Sequence, residues 1–443
     1  MNAVPRSEVQ HLATLDKERV WHPFTPLREW CAPTHEPLVI VSGEGAVLRD
    51  AQGQEYIDGN SSIWTNLHGH CHPRLNAAIT RQLGAFAHCS FLGQTHPAAV
   101  ALASALVALF PPDTLTRVFF SDDGSTAIEV ALRIAREFWL RHGQPARNQF
   151  LAFDLAYHGD TLGAASLGGI ATFRGWQECN DGPLGVVRVG GVAELAALPQ
   201  KVIATLAGAV IEPLVQGAAG MRLWPAGTLA ALRAWCDQHD VLLIADEVLT
   251  GFGRTGTMFA CEQEAVVPDL LCLAKGLTGG YLPLAATLTT ERIFRSFHGA
   301  GTREEQTLFY GHSYTANALG CAAALENLAI FRDEQTLAQL QPKIALLAEL
   351  LHAQLAPLPH VGAIRQCGFI AGIDLLQLSG EPFPPAALVG ARVCQAARKH
   401  GLLTRPIRDT LVVMPPYCTT PAQLETAVNA LRRAALEITS AGC

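Results

Sequence analysis

The chain has 443 residues, 49% of them hydrophobic and only 16% charged, with a formal net charge of −7. That balance fits a compact protein with a sizeable core and excludes a disordered or fibrous chain. There is no basic block and no apolar run of membrane-spanning length, so neither nucleic acid nor a membrane is an expected partner.

Residues 1–65 read as an N-terminal arm followed by a small β unit, "PLVIVSGEGAVLRDAQGQEYIDG", whose alternating apolar residues are broken by glycine turns. The opening "MNAVPRSEVQHLATLDKERVW" is polar and has no secretory apolar core, so a cytoplasmic location is expected. Over 66–325 helix and strand patterns alternate. "HPAAVALASALVALF" predicts a helix, "TRVFFSD" a strand and "STAIEVALRIAREFWLRHG" an amphipathic helix. Strands follow at "FLAFDL" and "AGAVIEPLV", a helix at "AGTLAALRAWCDQHD", and strands at "VLLIADEV", "DLLCLA" and "PLAATLT". Apolar runs interleaved with helices imply a large, mostly parallel sheet covered on both faces, an α/β fold. A long helix over "SYTANALGCAAALENLAIFRDE" leads into a smaller α+β domain at 326–443. There, helices near 335–356, 384–400 and 421–438 flank short strands at "LLTRPI" and "TLVVMPP". The twelve cysteines are scattered, none as Cys-x-x-Cys, and most sit in apolar contexts, which favours buried thiols over disulfides.

Among only five lysines, Lys275 stands alone in an apolar segment, "PDLLCLAKGLTGGYLPLAATL". Burial there disfavours the ammonium and lowers its pKa, the condition for a Schiff-base amine; the alternative is a lysine that snorkels to the surface. The preceding strand ends in Asp246-Glu247, a carboxylate at the strand edge where open α/β sheets bind ligands. Asp246 reads either as the acid partner of a pyridine-type cofactor or as a cap or buried ion pair. In "FFSDDGSTAIEVALRIA" a strand passes through a tight turn at Gly124 into a helix. Ser125 and Thr126 then offer an anion site there, or an ordinary cap. Tyr157 of "AYHGDT" follows the next strand and is a candidate to stack on a ring, or a core tyrosine.

Two other motifs carry less. "GFGRTG" fits the dinucleotide fingerprint but lacks the helix and ribose-binding acid that should follow it. "HGHCHP" resembles a metal tract, yet adjacent ligands rarely suit one tetrahedral ion and no second cluster has ligand spacing, so no metal is expected.

At "LLIADEVLTGFGRTG" and "PDLLCLAKGLTGG" the sequence resembles the signature of class III (ω-type) pyridoxal-phosphate aminotransferases, and the resemblance runs over almost the whole chain. "VWHPFTPL", "IDGNSSIWTNLHGHCHP", "IEPLVQGAAGM", "GHSYTANALGCA" and "LTRPI" look like the branch that aminates 8-amino-7-oxononanoate to 7,8-diaminononanoate in biotin synthesis. The resemblance implies the aspartate-aminotransferase-like fold of PLP-dependent transferases (fold type I), the cofactor pyridoxal 5′-phosphate, and a homodimer with shared sites. It makes Lys275 the Schiff-base amine and proton shuttle and pairs Asp246 with the pyridinium nitrogen. Gly124 and Ser125 would hold the phosphate, helped by His312 and Ser313 from a partner subunit, while Tyr157 stacks on the ring. Phe24, Ile63, Trp64, Tyr157 and Gly311 would lie near the substrate, and Arg405 would bind its far carboxylate. Arg254 and Asp160 fit the pattern without an assigned role. Phe24 and Ile63 depart from the branch that uses S-adenosylmethionine as amino donor, which has Tyr and Trp there, and resemble a smaller branch that uses lysine; Tyr417 leans the other way. The expected donor is S-adenosylmethionine, with lysine the alternative. The competing functions are another ω-aminotransferase and a non-catalytic or zinc-binding protein of the same fold.

Overall fold

A computed structural model describes residues 5–173, 184–299 and 301–440. Its centre is a seven-stranded sheet of β1 (Leu115–Ser121), β2 (Gln149–Phe153), β3 (Val186–Val189), β4 (Leu206–Ile211), β5 (Leu242–Asp246), β6 (Leu270–Leu273) and β7 (Ala285–Thr290). The spatial order is β1-β7-β6-β5-β4-β2-β3. Only β7 runs against its neighbours β6 and β1; the other pairings are parallel.

Side-chain alternation explains why these strands read as unbroken apolar runs. Phe150, Ala152, Leu242, Ile244, Leu270 and Cys272 face the helix Gly124–Arg141. Their neighbours Leu151, Phe153, Leu243, Ala245, Leu271 and Leu273 face the opposite layer, which includes the helices Pro97–Val107, Thr228–His239 and Ala318–Asp333. Both faces are dry, so neither set is polar. Nine residues of Gly124–Arg141 are buried, Phe138 and Trp139 among them. Full burial of a side chain such as Phe138 contributes about 1.5–3 kcal/mol, so this one stripe outweighs the helix's own propensity.

Two smaller sheets flank the large one. Ile40–Glu44, Val47–Asp50 and Glu55–Asp58 form an antiparallel meander, and Leu402–Leu403 adds to it in parallel, pairing with Ile57 and Asp58. The C-terminal segment contributes Val361–Cys367, Ile370–Leu375 and Thr410–Val413, with the helices Thr336–Gln354, Val389–Arg398 and Pro421–Ser440 packed nearby.

Several elements differ from the sequence expectation. The strand expected through "AGAVIEPLV" stops at Ile211, because Leu214 turns left-handed (φ 62) and sends the chain into the small hairpin Val215–Gln216/Arg222–Leu223. The helix expected from "SYT" starts only at Ala318, where the Asn317 side chain accepts from the amides of Leu319 and Gly320. The strand at "LLTRPI" is just Leu402–Leu403. The helices Arg6–Arg19 and Pro73–Ala85, strand β3 and the hairpin Val361–Leu375 were not expected. Among the described residues, no helix is long and apolar enough to cross a membrane. All ten described cysteines are free, with Cys179 and Cys443 outside the described residues.

Candidate active site

The C-terminal edge of the parallel strands delivers one chemical group after another to a single cavity of about 780 Å³. β5 ends in Asp246, which lies in register with Cys272 of β6, three residues before Lys275. β4 is followed by Glu212, β2 by the loop carrying Tyr157 and His158, and β1 by the turn at Gly124 and Ser125. The cavity therefore gathers Lys275, Asp246, Tyr157, Gly124 and Ser125. Its outer wall takes Phe24, Ile63, Trp64 and Arg405 from segments distant in sequence.

Lys275 sits at a left-handed φ of 45, with Nζ 4.7 Å from the centre of the Trp64 ring. The amine makes no hydrogen bond among the described residues. Burial pulls its pKa down to about 8, although the carboxylates of Asp246 and Glu212 pull the other way. Desolvation wins because neither acid is hydrogen-bonded to it. The snorkelling alternative does not hold.

Asp246 accepts a hydrogen bond from His158 Nδ1 at 2.7 Å and from the Val248 amide at 3.1 Å. Burial opposes the charged form of His158, yet the Asp246 hydrogen bond and the charges of Asp246 and Glu212 together raise its pKa. His158 Nε2 is buried without a partner. Glu212 accepts from the amides of Tyr157 (3.1 Å) and Gly217 (3.0 Å), tying two cavity walls together. Burial first, and then the neighbouring Asp246 charge, push its pKa up to about 7 against the pull of His158 and those amides. Glu247 turns away from the cavity, accepting from Thr250 Oγ1 and from the amides of Ala260 and Cys261.

At the start of the helix Gly124–Arg141, Asp123 caps the Thr126 amide at 2.8 Å. The amides of Gly124 and Ser125 have no acceptor among the described residues and point along the positive end of an 18-residue helix. A Cβ on Gly124 would lie 2.6 Å from Val248, and one on Gly159 (φ +117) would lie 2.1 Å from Ser125 Oγ. Asp160 joins this cradle to the aromatic wall: its amide donates to Ser125 Oγ at 3.2 Å, and it accepts from the Tyr157 hydroxyl at 2.7 Å. A free amine, an acid-imidazole pair and an open amide cradle are the groups that a phosphorylated pyridine aldehyde requires.

Trp64 closes a single left-handed turn, with φ of 47, 50, 64 and 68 at Ser61, Ser62, Ile63 and Trp64. Asp58 holds it by accepting from the Ser62 amide (2.9 Å) and hydroxyl (2.8 Å), and Ser61 Oγ donates to Met414 O at 2.6 Å. Phe24 meets Phe173 edge-on at 5.8 Å, and Phe173 meets Tyr157 at 5.4 Å, forming an apolar wall.

Three expected residues lie outside this cavity in the single chain. Gly311, His312 and Ser313 do not line it; His312 Nε2 is 3.4 Å from Asp122 Oδ1, and Ser313 O accepts from His88. Arg254 is buried beneath the site, donating to Pro415 O and Asn66 O at 3.0 Å, with Tyr417 against its guanidinium. The "HGHCHP" histidines have separate partners: His68 pairs with Asn327, and His70 with Asn66 and Asp58, while the His72 amide donates to the Tyr281 hydroxyl. Burial drives the His68 pKa down to about 4.

Sequence reasoning missed Glu212, His158 and Arg408 as cavity residues. Glu212 carries the same signal as Asp246, an acid ending an apolar strand, but the run "AGAVIEPLV" continues past it and masks the strand's end at Ile211. The pairing of His158 with Asp246 spans 88 residues and has no local signature.

The sequence matches the family model described as aminotransferase class-III over residues 31–435. A protein of Nitratidesulfovibrio vulgaris named adenosylmethionine-8-amino-7-oxononanoate aminotransferase is 46% identical, with 98% of this chain and 83% of that protein covered. One of the same name from Geobacter sulfurreducens is 43% identical, covering 98% and 100%. The crystal structure of the protein so named from Methanocaldococcus jannaschii superposes with a TM-score of 0.92 at 37% identity, over 97% of this chain and 99% of that one.

Proposed function

Because the chain belongs to the class III aminotransferases, whose cofactor is pyridoxal 5′-phosphate, we propose that it moves an amino group from S-adenosylmethionine to 8-amino-7-oxononanoate, giving 7,8-diaminononanoate for biotin synthesis. The observation that carries this reading is the buried, unbonded Lys275 amine beside the Asp246–His158 pair, in a cavity whose outer wall is apolar and ends in arginine.

When bound, the cofactor supplies an electron sink for the carbanion left as the α-proton departs. The amides of Gly124 and Ser125 would hold its phosphate, Tyr157 would lie against the ring, and Asp246 would keep the ring nitrogen protonated. His158 keeps the Asp246 carboxylate oriented, with its own proton on Nδ1. Lys275, with its pKa brought to about 8, is neutral often enough near neutral pH to accept a proton from the substrate and return it. Arg405, donating to Phe24 O at 3.0 Å, would hold the far carboxylate, and Phe24, Ile63 and Trp64 would exclude water from the chain between.

Gly311, His312 and Ser313 would be supplied by a second copy, making the working unit a homodimer with shared sites. The exposure of Phe309, Tyr314 and Trp21 in the single chain supports that reading. It also divides the chain into an arm with part of the small domain (1–65), a large cofactor-binding domain (66–325) and a C-terminal small domain (326–443), in a cytoplasmic enzyme.

Absorbance spectra of the cofactor-loaded protein test the donor and acceptor together. S-adenosylmethionine should bleach the visible band, and 8-amino-7-oxononanoate should restore it. Bleaching by lysine alone would overturn the donor. Restoration by pyruvate or 2-oxoglutarate but not by the oxononanoate would overturn the acceptor.

A further inference from the structure

Arg408 is a second guanidinium at the cavity, three residues beyond Arg405. Its NH2 donates to Thr172 Oγ1 at 2.6 Å, whereas Arg405 is held by Phe24 O at 3.0 Å. The acceptors are Phe24 itself and the chain neighbour of Phe173, so each cation is tied to one end of the edge-on pair Phe24–Phe173.

Neither guanidinium has a carboxylate partner among the described residues. The nearby acids are engaged elsewhere: Asp409 accepts from the Gly390 amide, Asp123 caps Thr126, Glu212 holds two amides and Asp246 holds His158. A guanidinium offers five donors, and one neutral oxygen satisfies few of them. Two such cations on one cavity favour an anion bound within reach of both.

Backbone geometry adds an independent point. Arg408 has φ 52, at the tip of a turn closed by reciprocal 2.9 Å hydrogen bonds between Ile407 and Thr410. Glycine suits that conformation better than any long side chain. Local backbone preference therefore does not account for an arginine here, whereas its position over the cavity does.

We propose that Arg408 is a specificity-determining residue: with Arg405 it forms a two-guanidinium rim that reads the terminal carboxylate of a keto acid whose aliphatic chain lies along the Phe24–Phe173 wall. The identity of that keto acid rests on the proposed function; the recognition of a carboxylate on an apolar tail does not.

The Arg408→Gly variant is the clean test, since glycine relieves the turn while removing the charge, and its thermal midpoint should not fall. The KM for 8-amino-7-oxononanoate should rise about tenfold or more, the loss falling on KM rather than kcat. The KM of the amino donor, whose carboxylate adjoins the reacting carbon, should move less than about twofold. Wild type should also prefer the acid over its methyl ester, and Arg408→Gly should lose most of that preference. An unchanged KM and acid-to-ester ratio would overturn the proposal.

Calorimetry of nonanoate against nonan-1-ol, on the protein as isolated, decides the same point without turnover. Wild type should favour the anion, and Arg408→Gly, which keeps only Arg405, should favour it several-fold less; equal preference in both proteins overturns the rim. Should wild type fail to aminate the oxononanoate at all, the proposed function falls, while the calorimetric comparison still rules on Arg408.

Discussion

Lys275 is an expensive residue for the fold to keep. Its pKa of about 8 against an ordinary 10.5 is a free-energy cost of about 3 kcal/mol, because the folded state disfavours the ammonium that the unfolded chain carries. The folded value is depressed, so the cost is complete below about pH 8 and is relieved as pH climbs toward 10.5. Lys275→Met should therefore lower turnover by about 10⁴-fold or more while raising the stability of the cofactor-free protein at pH 7. Urea midpoints at pH 7 and pH 10 check this, the gain being largest at the lower pH. Glu212 has the opposite dependence. Its folded pKa, about 7, lies above the ordinary 4.5, so its protonated form favours the fold below pH 4.5 and that contribution is lost as pH rises through 7. Relative to Glu212→Gln, wild type should lose up to about 3 kcal/mol between those pH values, read as a crossing of the two proteins' denaturation midpoints.

Among elements, the left-handed turn from Ser61 to Trp64 holds the most strain. Each non-glycine residue in that conformation costs about 1–2 kcal/mol, and four stand in a row. Asp58 offsets this with two hydrogen bonds to Ser62 and one from His70 Nε2 at 3.1 Å. Asp58→Ala should destabilise the protein by about 2–4 kcal/mol, since three part-buried hydrogen bonds to a buried carboxylate are lost. Trp64 should then move off Lys275, detectable as red-shifted, more quenchable indole fluorescence. Nothing in "SSIW" announces such a turn, because the contacts that impose it come from Asp58 and from Met414, far along the chain. The sheet strands were legible for the opposite reason. Runs such as "LLIAD" and "LLCL" are buried on both faces, so composition alone marks them. The helix Arg6–Arg19 escaped because it buries only Val9 and is otherwise polar. The hairpin Val361–Leu375 escaped because glycines and half-buried positions blur its alternation.

At the scale of the whole molecule, Lys275, Asp246, Gly124, Ser125 and Tyr157 could be picked out from local context, because each closes or follows a strand at one sheet edge. Phe24, Ile63, Trp64 and Arg405 came only from family resemblance, since three separate chain segments carry them to the rim. A shared site makes a sharp prediction. Lys275→Ala and the double variant His312→Ala/Ser313→Ala should each be nearly inactive, yet subunit exchange between them should restore about a quarter of wild-type activity, as half the dimers are mixed and each keeps one intact site. Activity that stays at the level of the separate variants would mean that each chain completes its own site.

Leu402–Leu403 completes the sheet begun by Ile40–Glu44, and Met414 anchors the turn that carries Trp64. A ribosome must therefore release nearly the whole polypeptide before the meander and the turn after it, residues 40–64, can settle. Until then the nascent amino-terminal meander has an open edge and an unsupported tryptophan, a natural client for a chaperone. A message truncated shortly before codon 400 should yield a product that aggregates through its beginning rather than its end.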